Sequence, residues 1–146
     1  MLTVIVETAD AGDRLPALLA CLTSASVEGL VREVLIAGGG PPDLLAVLRE
    51  ETGAELVADL AGGIAEARSE RLLVLPAKIR LKPGWLEALA QHVRGGGGDA
   101  TIEGEAGFLQ PRPFGVLITR DAAAGLAGPS LKRLRGQLRR GAARLV

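Results

Sequence analysis

The strongest architectural signal in this chain is the run Leu72-Leu73-Val74-Leu75-Pro76-Ala77-Lys78-Ile79-Arg80-Leu81. It opens with four consecutive apolar residues and is interrupted by Pro76, which is the pattern of a parallel strand buried on both faces. Ligands of open α/β sheets gather beyond the carboxyl ends of such strands. Lys78 follows this strand end and is therefore a candidate binding residue.

Apolar runs of strand type alternate with helical patterns over residues 2–94. The patterns predict strands near 2–7, 31–37, 54–57 and 71–75, and helices near 14–25, 42–52, 62–69 and 84–94. Alternation of this kind predicts a parallel sheet covered by helices on both faces. The loops at 8–10, 37–40 and 76–78 would then meet at one crevice.

The order of the segments is informative in its own right. The helix start Pro83-Gly84-Trp85-Leu86 follows the strand at 71–75, while residues 2–10 and 31–40 each join an apolar strand to a polar or glycine-containing turn. In this order the segments resemble the family 2 glycosyltransferases, enzymes of the GT-A fold that use nucleotide sugars. A weaker similarity continues at residues 114–127.

The resemblance implies an architecture for the whole chain. It predicts an α/β, GT-A-like (nucleotide-diphospho-sugar transferase) three-layer sandwich around a mostly parallel sheet, in a single domain spanning residues 1–146. Within that domain, residues 1–94 would form a nucleotide-binding-like half. Residues 95–129, which begin in a flexible glycine run and are irregular before a strand at 114–119, would form a reduced acceptor-side region.

The resemblance also implies nucleotide-contacting residues at the strand ends. The candidates are Thr8, Asp10, Gly38, Gly39 and Lys78. All but Thr8 have a structural alternative: Asp10 could cap the first helix, the glycines could only satisfy a tight turn, and Lys78 could be a solvated lysine at a strand end.

Positions that carry acids in family 2 enzymes are altered here. Those enzymes hold a divalent cation with motif carboxylates, where this chain has Pro76 and Lys78, and an aspartate that contacts the nucleotide is replaced by Ala37. A protonated lysine cannot ligate a hard cation, so neither a metal nor another cofactor is predicted. Lys78 could hold a phosphate directly as a point charge.

A catalytic base is missing from its expected region. Inverting transfer needs a carboxylate to accept the acceptor's hydroxyl proton, and the family supplies it late in the domain, whereas no Asp or Glu follows Asp121 here. The missing acids favour a non-catalytic relative, a pseudo-glycosyltransferase that acts as an interaction or assembly module. The alternative is a small metal-independent glycosyltransferase with a nucleotide-sugar donor.

The carboxyl-terminal segment 130–146 is predicted to form a basic amphipathic helix, because its apolar residues recur at helical spacing. It has no acidic residue, and its basic residues are Lys132, Arg133, Arg135, Arg139, Arg140 and Arg144. Three uses remain open: packing on the domain with the arginines in solvent, binding to an anionic membrane surface, or docking onto an acidic partner, including a second copy. Gly136 and Gly141 each weaken such a helix by about 1 kcal/mol.

Composition limits the remaining possibilities. The chain has 146 residues, is neutral with 17 basic and 17 acidic residues, and contains a single cysteine, Cys21, which is predicted to be buried on the apolar side of the first helix. No apolar run is long enough to span a membrane. We expect a cytoplasmic protein, with the basic segment available for peripheral contact with the inner face of the membrane. Nucleic-acid binding is not expected, because stacking aromatic residues are scarce.

Overall fold

The structure is a computed structural model that describes residues 1–8, 14–38, 42–138 and 142–145. Its strands are β1 (Leu2–Glu7), β2 (Val31–Ala37), β3 (Glu55–Val57), β4 (Arg71–Pro76), β5 (Ala100–Glu103), β6 (Phe114–Thr119) and β7 (Ala143–Arg144). Its helices are α1 (Leu15–Val27), α2 (Pro42–Thr52), α3 (Leu60–Glu66), α4 (Trp85–Arg94), α5 (Arg120–Ala124) and α6 (Leu131–Gly136).

The strands form one sheet in the order β3-β2-β1-β4-β6-β5-β7. Strands β3, β2, β1 and β4 pair in parallel, β6 runs antiparallel to both β4 and β5, and β7 pairs in parallel with β5. The parallel half places the ends of β1, β2 and β4 at one edge of the sheet. The predicted α/β class and mostly parallel sheet are confirmed.

Alternate residues of the central strands divide the core into two apolar layers. Val4 and Leu73 face one layer, whereas Ile5 and Leu72 face the other. The first layer receives buried residues of α1, α2 and α4, and the second receives those of α3, α5 and α6. Since helices cover both faces of the sheet, the predicted three-layer sandwich is confirmed.

A polar network ties the amino-terminal ends of the central strands together. The Thr3 hydroxyl is fully buried and donates to Glu33 Oε1 at 2.8 Å, and the backbone N–H of Arg68 donates to the same oxygen at 2.7 Å. The backbone N–H of Ser69 donates to Thr3 Oγ1 at 3.3 Å. Glu33 therefore satisfies groups from β1 and from the turn before β4 at once.

The predicted helix over residues 130–146 was wrong beyond Gly136. The helix begins where Ser130 Oγ accepts from the backbone N–H of Arg133 at 3.2 Å, and it ends at Gly136. Glycine disfavours helix continuation. Farther along, Ala143 and Leu145 donate to the carbonyl oxygens of Asp99 and Thr101 at 3.3 and 2.9 Å, so that part of the segment extends the sheet instead.

Two smaller predictions also failed. Cys21 is exposed rather than buried, because the buried residues of α1 are Leu15, Leu18, Leu19, Leu22 and Ala25, which form a different face of the helix. The region 95–113 is not irregular throughout, since β5 forms within it and pairs with β6. Within the described residues, no helix is long and apolar enough to cross a membrane.

Candidate functional site

The carboxyl ends of the three central strands lie side by side. The backbone N–H of Thr8 donates to the Ala37 carbonyl oxygen at 3.0 Å, and the backbone N–H of Ala77 donates to the Glu7 carbonyl oxygen at 2.8 Å. The backbone N–H of Gly38 donates to the Val57 carbonyl oxygen at 3.3 Å. Residues predicted to share a crevice, Thr8, Gly38 and the turn that carries Lys78, are therefore neighbours at this edge.

Gly38 is required by the close approach of Thr8. The Thr8 hydroxyl donates to the Ala37 carbonyl oxygen at 3.1 Å, and a Cβ atom on residue 38 would lie only 2.7 Å from Thr8 Oγ1. Gly38 also has φ +111°, a backbone conformation that side chains disfavour. The structural reason for glycine at this position thus stands without any ligand.

Lys78 is presented by a rigid turn. The backbone N–H of Ile79 donates to the Pro76 carbonyl oxygen at 3.0 Å, and the flanking residues Ala77 and Ile79 are each only 1% exposed. Lys78 itself is exposed. Because its two neighbours are packed in the core, the turn holds the lysine at the open edge of the sheet.

Lys78 borders two adjoining cavities. The first, of about 400 Å³, is lined by Glu7, Pro76, Ala77, Lys78, Pro111, Arg112, Pro113, Phe114, Ser130, Leu131 and Lys132. The second, of about 760 Å³, is lined by Arg14, Lys78, Arg80, Glu105, Ala106, Gly107, Gln110, Pro111 and Pro113. Cations outnumber carboxylates in both linings.

The segment 104–113 forms the far wall of both cavities and is held to the Lys78 turn. The backbone N–H of Glu105 donates to the Arg80 carbonyl oxygen at 2.8 Å, and Leu81 and Gly104 form an isolated antiparallel bridge. At its tip, Gln110 N–H donates to the Gly107 carbonyl oxygen at 3.2 Å. Between them, Leu109 has φ +62° and is 89% exposed.

The structure separates the basic residues predicted as a partner or membrane surface. Lys132 lines the first cavity together with Lys78. Arg133 Nη1 donates to the carbonyl oxygens of Ala127 and Gly128, and the Arg135 guanidinium lies 4.6 Å from the centroid of the Phe114 ring. The last two side chains thus make intramolecular contacts, and the partner or membrane surface stays a prediction.

Four of the predicted residues lie outside the described part of the chain. They are Asp10 and Gly39 among the nucleotide candidates, and Arg139 and Arg140 among the basic residues. Conversely, sequence reasoning missed Glu7, Arg14, Arg80, Glu105, Gln110 and Arg112 as cavity residues. Arg80 could have been found from its place two residues after Lys78, and Glu7 from its place directly before Thr8, whereas the others come from distant segments that only the fold brings together.

A divalent cation does not fit the residues of the Lys78 turn. Pro76 and Ala77 offer no side-chain oxygen, and a protonated Lys78 repels a cation. Within residues 1–8, 14–38, 42–138 and 142–145, no group of three or more His, Cys, Asp or Glu side chains could hold a metal ion.

Comparison with known proteins supports the fold. No protein-family model matches the sequence, and no curated protein matches it in sequence. In structure, the chain is similar to glucosyl-3-phosphoglycerate synthase from Mycobacterium tuberculosis in complex with Mn²⁺, UDP and glucosyl-3-phosphoglycerate, with a TM-score of 0.65 and 14% identity over 99% of this chain and 70% of that chain.

Two other enzymes show the same likeness. Mannosyl-3-phosphoglycerate synthase from Rubrobacter xylanophilus has a TM-score of 0.53 and 12% identity over 70% of this chain and 38% of that chain. The 4-diphosphocytidyl-2C-methyl-D-erythritol synthase from Anaerococcus prevotii has a TM-score of 0.61 and 9% identity over 100% of this chain and 88% of that chain. The fold is that of the GT-A-like nucleotide-sugar transferases. At these identities the comparisons show the fold alone, and membership of family 2 stays a prediction.

Proposed function

We propose that this chain binds the diphosphate of a nucleotide or nucleotide sugar in the first cavity without a divalent cation, and that it does not transfer the sugar. The observation that carries the proposal is the position of Lys78. It stands on a packed turn at the carboxyl edge of a parallel sheet and borders a cavity of about 400 Å³. This edge is where ligands of open α/β sheets bind.

The electrostatics of the cavity support a bound anion. Lys78, Arg112 and Lys132 line it with a single carboxylate, that of Glu7. Arg112 is engaged with Glu103, whose Oε2 lies 3.4 Å from its Nη1, which leaves the two lysines as the cations best placed for a phosphate. Lysine binds phosphate as a point charge, so Lys78 would supply part of the neutralisation that a metal supplies in metal-dependent enzymes.

The non-catalytic part of the proposal rests on the chemistry of the same turn. Pro76 and Lys78 stand where the resembling family has carboxylates, and no Asp or Glu follows Asp121. We therefore propose that the protein serves as an interaction or assembly module, and that its association with a partner depends on whether nucleotide is bound. Its partner would be another protein or a second copy of this chain, with the basic segment after Ser130 as the candidate contact.

One observation favours the alternative of a small metal-independent glycosyltransferase. Glu7 and Glu105 line the two cavities on either side of Lys78, so each is a carboxylate at the proposed site that could accept a proton. The two functions differ in a measurable product. The enzyme would be favoured over the binding module if the protein releases UDP or GDP from a nucleotide sugar and if Glu7→Gln or Glu105→Gln abolishes this release.

Calorimetric titration tests the binding itself. UDP, GDP and their common sugar derivatives would be titrated with EDTA and with Mn²⁺. We expect metal-independent binding that weakens about tenfold or more in Lys78→Ala, a loss equivalent to about 1.4 kcal/mol. The matched control is Lys82→Ala, which removes a lysine that lines a different cavity beside α4. Absence of binding at millimolar nucleotide, or equal weakening in both variants, would contradict the proposal.

A further inference from the structure

We propose that the second cavity binds a small phosphate or carboxylate that carries a hydroxyl group, through Arg14, Lys78 and Arg80. The proposal deepens the proposed function, because it assigns a second ligand to the space beside the nucleotide and lets Lys78 face both. The cavity of about 760 Å³ is large enough for such a molecule.

The lining of the second cavity is mainly cationic. Arg14, Lys78 and Arg80 come from two separate segments and converge on one cavity, which contains one carboxylate, that of Glu105. Within the described residues, the ion pairs involve Arg68, Arg112 and Arg144, and none involves these three cations. Converging cations repel one another, and a bound anion would remove this repulsion.

The Arg14 guanidinium has a hydrogen-bond donor that the described residues leave unsatisfied. Its Nε atom is buried and has no hydrogen-bond partner in the described part of the chain. A buried N–H group without an acceptor is costly, and nearly all such groups in proteins are satisfied. Arg14 lines the cavity through other atoms, so a phosphate or carboxylate oxygen there would provide the missing acceptor once the side chain turns its Nε–H toward the ligand.

Two uncharged or acidic polar side chains accompany the cations in the second cavity. Glu105 is fixed next to Arg80 by the backbone hydrogen bond of 2.8 Å, and Gln110 lies farther along the same segment, at the end of its turn. A carboxylate accepts a hydrogen bond from a hydroxyl, and an amide both donates and accepts. The lining therefore suits a molecule with an anionic end and a neighbouring hydroxyl better than a bare anion.

The probes are inorganic phosphate, glycerol 3-phosphate and n-propyl phosphate, which has the same carbon chain without hydroxyls. Titrations in EDTA would measure each dissociation constant. We expect glycerol 3-phosphate to bind most tightly, and Glu105→Ala to remove its advantage over n-propyl phosphate. Equal binding of the two esters by the unaltered protein would overturn the assignment of a hydroxyl-bearing ligand.

Two variants locate the ligand. Arg14→Gln and Arg80→Gln should each weaken glycerol 3-phosphate binding about tenfold, equivalent to about 1.4 kcal/mol. Arg80 is exposed, so its replacement is compatible with folding even if Arg14→Gln is not. The matched control is Arg49→Gln, in the last turn of α2 and outside the cavity. The inference fails if no phosphate ester binds at millimolar concentration, or if Arg80→Gln behaves like Arg49→Gln.

Titration of UDP on the same variants separates this inference from the proposed function. If UDP binds and glycerol 3-phosphate does not, the second site is wrong and the nucleotide site stands. If glycerol 3-phosphate binds in an Arg80-dependent manner and UDP does not, the second site stands and the nucleotide assignment is wrong. Lys78→Ala should weaken both ligands, because Lys78 lines both cavities.

Discussion

Thr8 contacts Ala37 through two hydrogen bonds, one from its backbone N–H at 3.0 Å and one from its hydroxyl at 3.1 Å, both to the Ala37 carbonyl oxygen. This double contact locks the end of β1 to the end of β2. It also explains why glycine follows Ala37, since the Thr8 hydroxyl occupies the space that a side chain at position 38 would need. The edge that is proposed to bind nucleotide is therefore rigid at this point.

Gly38→Ala should destabilise the protein. The new Cβ would lie 2.7 Å from Thr8 Oγ1, and φ at this position is +111°. Backbone strain of this kind costs about 1–3 kcal/mol, and the variant should show that loss in the free energy of unfolding by chemical denaturation. Gly53→Ala is the control, because Gly53 also has positive φ, +73°, but a Cβ there meets nothing within 4 Å. Equal losses in the two variants would show that the contact with Thr8 contributes nothing.

Lys78→Asp should exchange one kind of charge neutralisation for another. The new carboxylate repels the diphosphate in EDTA, and in the presence of Mn²⁺ it can ligate the cation between protein and phosphate. We expect UDP binding to be lost in EDTA and partly restored by Mn²⁺, whereas the unaltered protein should be insensitive to Mn²⁺. Calorimetry in the two buffers checks this, and the same loss in EDTA with recovery in Mn²⁺ for Lys82→Asp would contradict a specific role for residue 78.

Leu109→Gly should be neutral to stabilising. Leu109 has φ +62° and is 89% exposed, so glycine removes backbone strain and loses little buried area. Strain at a non-glycine residue of positive φ is about 1–2 kcal/mol, offset by about 0.5–1 kcal/mol for the greater flexibility of glycine in the unfolded chain. Phe108→Gly is the matched control: Phe108 is 92% exposed and has no positive φ. Thermal unfolding should rank Leu109→Gly above Phe108→Gly, and the reverse order would refute the argument.

Glu33→Ala should destabilise the amino-terminal end of the sheet. Its carboxylate accepts from the buried Thr3 hydroxyl and from the Arg68 backbone N–H, and both would lose their partner. An unsatisfied buried donor costs about 1–3 kcal/mol. Denaturant unfolding would measure the loss. Arg68→Ala serves as the control, because it keeps the backbone donor and removes only the ion pair of the exposed Arg68 side chain with Glu33, and such pairs at the surface contribute about 0–1 kcal/mol.

The elements of the parallel half could be predicted from local patterns, because each strand and helix there carries its own periodicity. The predicted strand at 71–75 and helix at 84–94 differ from β4 and α4 by one residue at an end. The failures have a different physical origin. Strand β5 alternates apolar and polar residues over only four positions and β7 has only two, so neither pattern is long enough to predict a strand without the pairing of β5 with β6 and of β7 with β5.

The candidate site was predictable to a similar extent. Lys78 could be recognised because it follows a strand end within the same local motif. Arg14, Glu105 and Lys132 could not, because they reach the cavities from the start of α1, the segment after β5 and the first turn of α6. The sequence predicts Lys132 as part of a basic helical face but does not show which side of that helix faces the sheet. In the structure Leu134, two residues farther along α6, is fully buried in the core, and its burial fixes the orientation of the helix.

The central position of β1 bears on how the chain is made. Val4 pairs with Val34 on one side and with Leu73 on the other, so during synthesis β1 keeps one edge open until residues 71–76 have followed it. Contacts between segments so far apart in sequence slow folding, since loop closure must precede any gain from pairing. During synthesis, an apolar strand with an unpaired edge is an aggregation hazard, so folding yield should depend on how quickly translation delivers β4.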